Sequence, residues 1–368
     1  MDARFDIVVV GAGMAGASLA AAVGARASVL VIEAEERPGY HTTGRSAAFW
    51  TESYGGPGVQ PLTTRSGPVL HALGVLRPRA ALTLGRAGEE QRVAAFAQEF
   101  AAAGVEVALL DRTGIAERVP GLRQGWSCGA LEPSCCDIDV ASLHQHYLTE
   151  ARKAGVALWC RAALLAAERV PAGWVLTLSD GRRIGCGVLA NAAGAWADPV
   201  AGMAGVAPLG IAPFRRTIAQ LAVKGGAPDD LPLVLDIAET FYFKPESGRI
   251  WLSPHDETPS DPCDAAAEEL DVALAIDRFE RVVDWQVERL EHRWAGLRSF
   301  APDRLPVYGF DGRNPAFFWF AGQGGFGIQT APAAAELAAR LLLDEQSGAI
   351  DPARYAPGRF ERAQSRVV

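Results

Sequence analysis

The residues with the plainest chemical purpose stand near the start of the chain, where Gly11-Ala12-Gly13-Met14-Ala15-Gly16 repeats the spacing Gly-x-Gly-x-x-Gly and Glu33 follows. Gly11 permits a tight turn, Gly13 lets backbone approach a pyrophosphate, and Gly16 lets a helix pack closely on a strand. The free N–H groups opening that helix then face the negative charge. A carboxylate at Glu33 accepts from the ribose hydroxyls of an adenosine and repels a 2′-phosphate. The chemistry is dinucleotide binding. By itself the fingerprint fits NAD as well as FAD, and an isolated one also occurs in structural turns.

Other reactive constellations are missing. His144 and His146 lie two apart, off a common helical face, and make a poor metal pair. Cys128, Cys135, Cys136, Cys160, Cys186 and Cys263 form no CxxC pair and no zinc spacing, so they read as free thiols and no metal is expected. No Ser/His/Asp arrangement suggests acyl transfer.

The elements around the fingerprint make it specific. Phe5 to Val10 is a β-branched apolar run suited to a buried parallel strand, an alanine-rich helix follows to about Val23, and Ser28 to Ile32 is a second such strand ending on Glu33. Helical patterning resumes near Leu143. Trp174 to Leu178 alternates ahead of the turn signal Asp180-Gly181, and Gly187 to Ala192 is another buried strand, closed by Ala193-Gly194 and a short helix through Met203. Phe214 to Val223, Phe241 to Phe243 and Ile250 to Leu252 read as strands of a more antiparallel sheet, with a turn over 245–248. Val272, Ile276, Phe279, Val283, Val287 and Leu290 recur at spacings of three and four, which predicts one helix with an apolar core stripe. Phe317 to Phe320, a glycine-rich loop over 322–327 and a helix from Thr330 to Leu343 return to α/β character.

Bulk properties agree. A chain of 368 residues is long enough for two domains. A net charge of −8 leaves no basic face for nucleic acid, so the partner is expected to be a small molecule. The apolar stretch 5–23, ending in Ala25-Arg26-Ala27, has the outline of a secretory leader, but cleavage there would destroy the glycine turn and no clear basic segment precedes it. No later run reaches membrane-spanning length, and a cytoplasmic location is expected.

Three further segments carry a resemblance: Gly39-Tyr40-His41-Thr42-Thr43-Gly44-Arg45-Ser46-Ala47-Ala48, the stretch from Trp294 to Gly309, and Gly324-Gly325-Phe326-Gly327-Ile328-Gln329-Thr330. With the fingerprint they resemble the D-amino-acid-oxidase superfamily of flavoproteins, most of all bacterial FAD-dependent D-arginine and D-amino acid dehydrogenases. The resemblance implies an α/β fold in which a Rossmann-like FAD-binding domain (1–80, 140–205, 296–368) interleaves with a mixed, largely antiparallel substrate domain (81–139, 206–295). It implies FAD rather than NAD, since the C-terminal glycine loop is superfluous for NAD, and noncovalent FAD, since no attachment cysteine is evident near the flavin. It puts Gly11, Gly13, Ala15, Gly16, Glu33, Ala34, Thr42, Thr43, Gly44, Arg45, Ser46, Ala47, Ala48, Leu164, Gly324, Gly325, Gly327, Ile328, Gln329 and Thr330 at the cofactor.

By the same resemblance Arg216 and Arg298 grip the substrate carboxylate or carbonyl, and Tyr54, Tyr242 and Gln329 occupy other pocket positions. Read as residues alone, these arginines also suit domain-bridging salt bridges and the tyrosines suit a core. Relatives that take D-arginine hold its guanidinium with a glutamate; Ala81 stands there, and Phe49 replaces a common histidine. The expected substrate is therefore a neutral or hydrophobic D-amino acid, with Arg79 leaving room for an acidic one. Its oxidation at the C–N bond gives an imino acid that hydrolyses to a 2-oxo acid and ammonia, with oxygen or a quinone as the final acceptor. The alternatives are a sarcosine- or proline-like secondary-amine oxidase and a non-catalytic flavin-binding module.

Overall fold

Ala3–Val10, apolar and β-branched through its second half, is buried between two parallel neighbours, Val29–Ile32 and Arg183–Asn191. The computed structural model describes residues 3–346 and 348–360. Ala157–Trp159 extends this eight-stranded sheet beyond Val29–Ile32, and Phe317–Ala321 joins it on the second half of Arg183–Asn191, both in parallel. Val307–Phe310 pairs with Phe317–Ala321 in the opposite sense. The first half of Arg183–Asn191 instead continues into an antiparallel meander with Gly173–Leu178 and Leu164–Val170. Met14–Val23 packs against the helices Val140–Lys153 and Ala331–Leu342, its alanines allowing close approach.

A ten-stranded sheet forms the other half of the molecule. Its spine is the long antiparallel pair Ala212–Val223 and Val287–Phe300, and among the described residues only Leu233–Asp236 on Ala81–Arg86 pairs in parallel. A small sheet of Phe49–Trp50, Cys136–Ile138 and Leu76–Pro78 presents Phe49 to the site. The α/β class expected from the sequence is the one observed.

Two local expectations are corrected. The stripe from Val272 to Leu290 is not one helix: Glu269–Glu280 ends the helix, and Val287 and Leu290 lie on the strand Val287–Phe300. Val283 still reaches the core, but Leu290 is 38% exposed, because backbone pairing with Ala212–Val223 overrides a spacing that continued by chance. The turn placed over 245–248 shrinks to Ser247-Gly248, with φ of 53° and 73°, since Pro245 and Glu246 remain in register with Ile250 and Arg249.

Among the described residues no helix is long and apolar enough to cross a membrane, and no group of three or more His, Cys, Asp or Glu residues can hold a metal ion.

Candidate functional site

A cavity of about 370 Å³ opens at the carboxyl ends of Ala3–Val10, Val29–Ile32 and Arg183–Asn191, where parallel α/β sheets place their ligands. Its glycine turn is close-packed. Gly11 has φ of 99° and a Cβ there would sit 2.7 Å from the Ala192 carbonyl; one on Gly16 would sit 1.8 Å from the Gly11 carbonyl. Glycine at both lets Met14–Val23 start directly behind the strand, and the first-turn N–H of Met14 donates to Thr43 Oγ1 at 2.9 Å. Glu33 accepts from the backbone of Ala12 at 2.8 Å and of Glu35 at 3.0 Å, which fixes its carboxylate on the cavity wall.

Of the residues read as cofactor ligands, Gly11, Gly13, Ala15, Glu33, Ala34, Thr42, Thr43 and Ser46 line this cavity. Leu164, Gly324, Gly325, Gly327 and Ile328 do so from the other side of the sequence. Ala47, Ala48 and Gln329 line a smaller adjoining chamber. Gly16, Gly44, Arg45 and Thr330 are not among the lining residues of either and instead brace the walls. Gly44 N–H donates to the Gly39 carbonyl at 2.8 Å, Arg45 donates to the Ala265 carbonyl at 2.8 Å and pairs with Asp264, and Thr330 Oγ1 donates to the Phe326 carbonyl at 2.8 Å.

Several wall residues escaped the sequence reading. His41 and Trp196 line the cavity with their rings 4.7 Å apart; His41 Nε2 pairs with Glu35 at 2.9 Å, while its Nδ1 is buried with no partner. Behind the wall His144, a poor metal ligand by its spacing from His146, donates from Nε2 to the Ala12 carbonyl at 2.9 Å, and burial lowers its pKa. Its place beside Leu143 and Tyr147 on the buried face of Val140–Lys153 was the available signal. The glycine turn without room for a Cβ, the acid beside it and the orphaned His41 nitrogen fit a dinucleotide. The lining runs on past the adenosine-type features to Ser46, Arg298 and Ile328, which leaves room for a second ring system.

The adjoining chamber, about 20 Å³, shares Ser46, Arg298, Gly325 and Ile328 with the cavity and adds Phe49, Tyr54, Tyr242 and Gln329. No carboxylate lines it among the described residues. Arg298, on Val287–Phe300, is 6% exposed, and no hydrogen bond or ion pair to the described residues holds its guanidinium. Burial, helped by the charge of Arg216, lowers its pKa. Such a group is costly unless a ligand pairs with it.

Arg216 differs. Its Nε donates to the Asp256 carbonyl at 2.8 Å, Nη2 to Glu257 at 3.1 Å and Nη1 to the Tyr54 hydroxyl at 3.5 Å, and it is not among the chamber's lining residues. Tyr54 and Tyr242 stand with ring centroids 5.1 and 5.9 Å from Phe49, and burial raises the pKa of Tyr242. Gln329 spends its amide protons on the Tyr54 carbonyl at 3.1 Å and Thr63 Oγ1 at 3.0 Å. Two more residues lacked any sequence signal. Buried Glu132 accepts from Thr51 Oγ1 at 2.6 Å and Glu52 N–H at 2.7 Å, anchoring the turn that carries Tyr54. His255, with φ of 53°, donates from Nδ1 to the Glu239 carbonyl at 2.7 Å and lies 5.7 Å from the Tyr242 ring. Ala81 is buried with Phe49 and Tyr242 in one apolar cluster. Arg79 turns to Asp137 at 2.7 Å and does not line the chamber.

The family profile described as FAD dependent oxidoreductase (DAO) matches residues 6–341. Hydrogen cyanide synthase subunit HcnC of Pseudomonas aeruginosa is 27% identical over 276 residues, 72% of this chain and 62% of that protein. FAD-dependent oxidoreductase domain-containing protein 1 of Bos taurus is 23% identical over 204 residues, 50% of this chain and 42% of that one. The matches thus span less than two thirds of these relatives. Among solved structures, L-proline dehydrogenase from P. horikoshii has a TM-score of 0.86 at 20% identity with 99% of each chain covered. Glycine oxidase from Geobacillus kaustophilus has a TM-score of 0.83 at 21% identity, covering 97% of this chain and 99% of that one. These share the fold.

Proposed function

The chain belongs to the DAO family of FAD-dependent oxidoreductases, and on that premise we propose that it oxidises the C–N bond of a small neutral or apolar α-amino acid of D configuration. The imino acid formed hydrolyses to a 2-oxo acid and ammonia. The observation that carries this reading is Arg298: a buried guanidinium that none of the described residues pairs with, in a chamber that no carboxylate of the described residues lines.

Bound FAD supplies the acceptor for the two electrons of the Cα–H bond. Arg298 takes the substrate carboxylate, for which its planar fork is shaped, in a site dry enough to make that pairing strong. The hydroxyls of Tyr54 and Tyr242 donate to the same carboxylate, and with Phe49 their rings exclude water from the reacting carbon. Arg216 and Gln329 act as positioning residues, holding Tyr54 by its hydroxyl and its carbonyl. None of the described residues lining the chamber is a strong base, so the amine binds neutral, its proton passing to solvent or to a tyrosine-held water.

The side-chain class follows from what is missing. A guanidinium on the substrate would find Ala81 and Phe49, with no counter-charge, at a cost of several kcal/mol. An acidic side chain would find Arg79 already committed to Asp137.

The test is the absorption spectrum of the holoprotein before and after anaerobic mixing with D-amino acids, L-amino acids, N-methylglycine and proline. Bleaching by neutral D-amino acids is expected. Bleaching by N-methylglycine or proline alone moves the assignment to secondary amines, bleaching by L-amino acids alone reverses the configuration, and a spectrum that no member changes points to a non-catalytic flavoprotein.

A further inference from the structure

Of the two arginines near the chamber, one is neutralised from within the chain. Arg216 has a side chain 2% exposed, yet its Nη2 reaches Glu257, which is 30% exposed, at 3.1 Å. The same Glu257 oxygen accepts from Arg304 at 2.6 Å, and Arg304 is 52% exposed with its guanidinium 3.9 Å from the Phe300 ring. Glu257 therefore sits between a buried cation and a solvated one. Its neighbour Asp256 is spent elsewhere, accepting from Thr217 N–H at 2.7 Å and Thr217 Oγ1 at 2.9 Å. The Arg216 guanidinium is 3.5 Å from the Tyr54 hydroxyl, and Tyr54 lines the chamber, so its charge acts on whatever the chamber holds.

We propose that Glu257 is a specificity-determining residue: an internal carboxylate that occupies Arg216, leaves Arg298 as the single guanidinium at the chamber, among the described residues, that is open to a ligand, and so selects substrates with one carboxylate against those with two. The inference rests on the reading that Arg298 anchors the substrate carboxylate. With Glu257 in place, a second ligand carboxylate near Tyr54 would be desolvated without a free cation and would meet like charge. Without it, Arg216 is left buried and uncompensated, and a second carboxylate becomes the natural partner. Specificity here comes from a repulsive element already seated behind the chamber wall, across Arg216 from Tyr54.

Propionate and malonate separate charge from size, because they differ chiefly by a methyl against a carboxylate. Their affinities are read on the holoprotein from the perturbation of the flavin absorption band, which needs no turnover. The wild-type chain is expected to bind propionate at least about 10-fold more tightly than malonate, in line with the cost of one unpaired desolvated charge. Glu257→Gln should cut that ratio about 10-fold or invert it. Arg304→Gln leaves Glu257 wholly to Arg216 and should hold or raise the ratio; this exposed position decides the matter if Glu257→Gln does not retain flavin, a lowered ratio then overturning the proposal. A ratio unchanged within about 2-fold in Glu257→Gln overturns it, as does wild-type binding of neither acid. If the ratio shifts as expected while no amino acid bleaches the flavin, the charge selection stands and the proposed reaction alone fails.

Discussion

The backbone N–H of Ala12 donates to the carboxylate of Glu33 at 2.8 Å, so the acid at the end of the second strand also fastens the middle of the glycine turn. His144 holds the same residue from the other side, through the Ala12 carbonyl at 2.9 Å. The turn is thus fixed by two side chains before any cofactor arrives, and the preorganisation lowers the cost of binding.

Replacing Glu33 with Gln should therefore weaken FAD binding and the apoprotein together. The amide either turns an NH2 toward the N–H of Ala12 or of Glu35, leaving a donor unmade at about 1–3 kcal/mol. Fluorescence titration of FAD should show at least about 10-fold weaker affinity, and urea unfolding of the apoprotein a lower midpoint. Weaker affinity with an unchanged midpoint would mean that Glu33 serves the cofactor only.

Arg298→Gln should lower kcat/KM by about 30-fold or more, since truncating one member of a desolvated charge pair costs about 2–5 kcal/mol. Arg298→Lys should recover part of this, a point charge replacing a fork. Both variants should keep their flavin spectrum. Equal activity of the glutamine variant and wild type would remove Arg298 from the site.

The pH dependence of stability should carry the mark of His255. Burial first, and then the charge of Arg216, push its pKa down to about 3. The folded chain thus keeps the ring neutral while the unfolded chain protonates near pH 6.5. Between those values the unfolded state binds the extra proton, so the contribution is whole above pH 6.5 and is lost as pH falls. Urea midpoints at pH 7.5 and 5.5 should converge for His255→Gln relative to wild type, by up to about 1.4 kcal/mol per pH unit below 6.5. Parallel slopes would show the ring free to charge in the fold.

None of the residues lining the cavity or the chamber is a cysteine, and Cys186 is buried in the core of the parallel sheet. Acid precipitation should leave a white pellet and a yellow supernatant. Flavin retained in the pellet would reveal a covalent link.

What the sequence determined by itself is the nucleotide half. Its signal is local: three glycines, two apolar strands and an acid lie within one short stretch, and each is required by backbone sterics or by charge next to it in the chain. FAD rather than NAD, and the wall residues beyond the fingerprint, came instead from the family resemblance that three further segments carry, and part of the wall, His41 and Trp196 included, came only from the fold. The apolar run past Phe279 misled because periodicity cannot see strand pairing, and Val287–Phe300 takes its backbone partners from a strand some seventy residues earlier. The division of labour between the arginines was equally out of reach. Arg216 and Arg298 are alike as residues, and only the folded chain brings Asp256 and Glu257 to the first while leaving the second without a partner among the described residues. Ion pairing is a matter of a few ångströms between distant segments, so tertiary structure alone decided which guanidinium is free to meet a substrate.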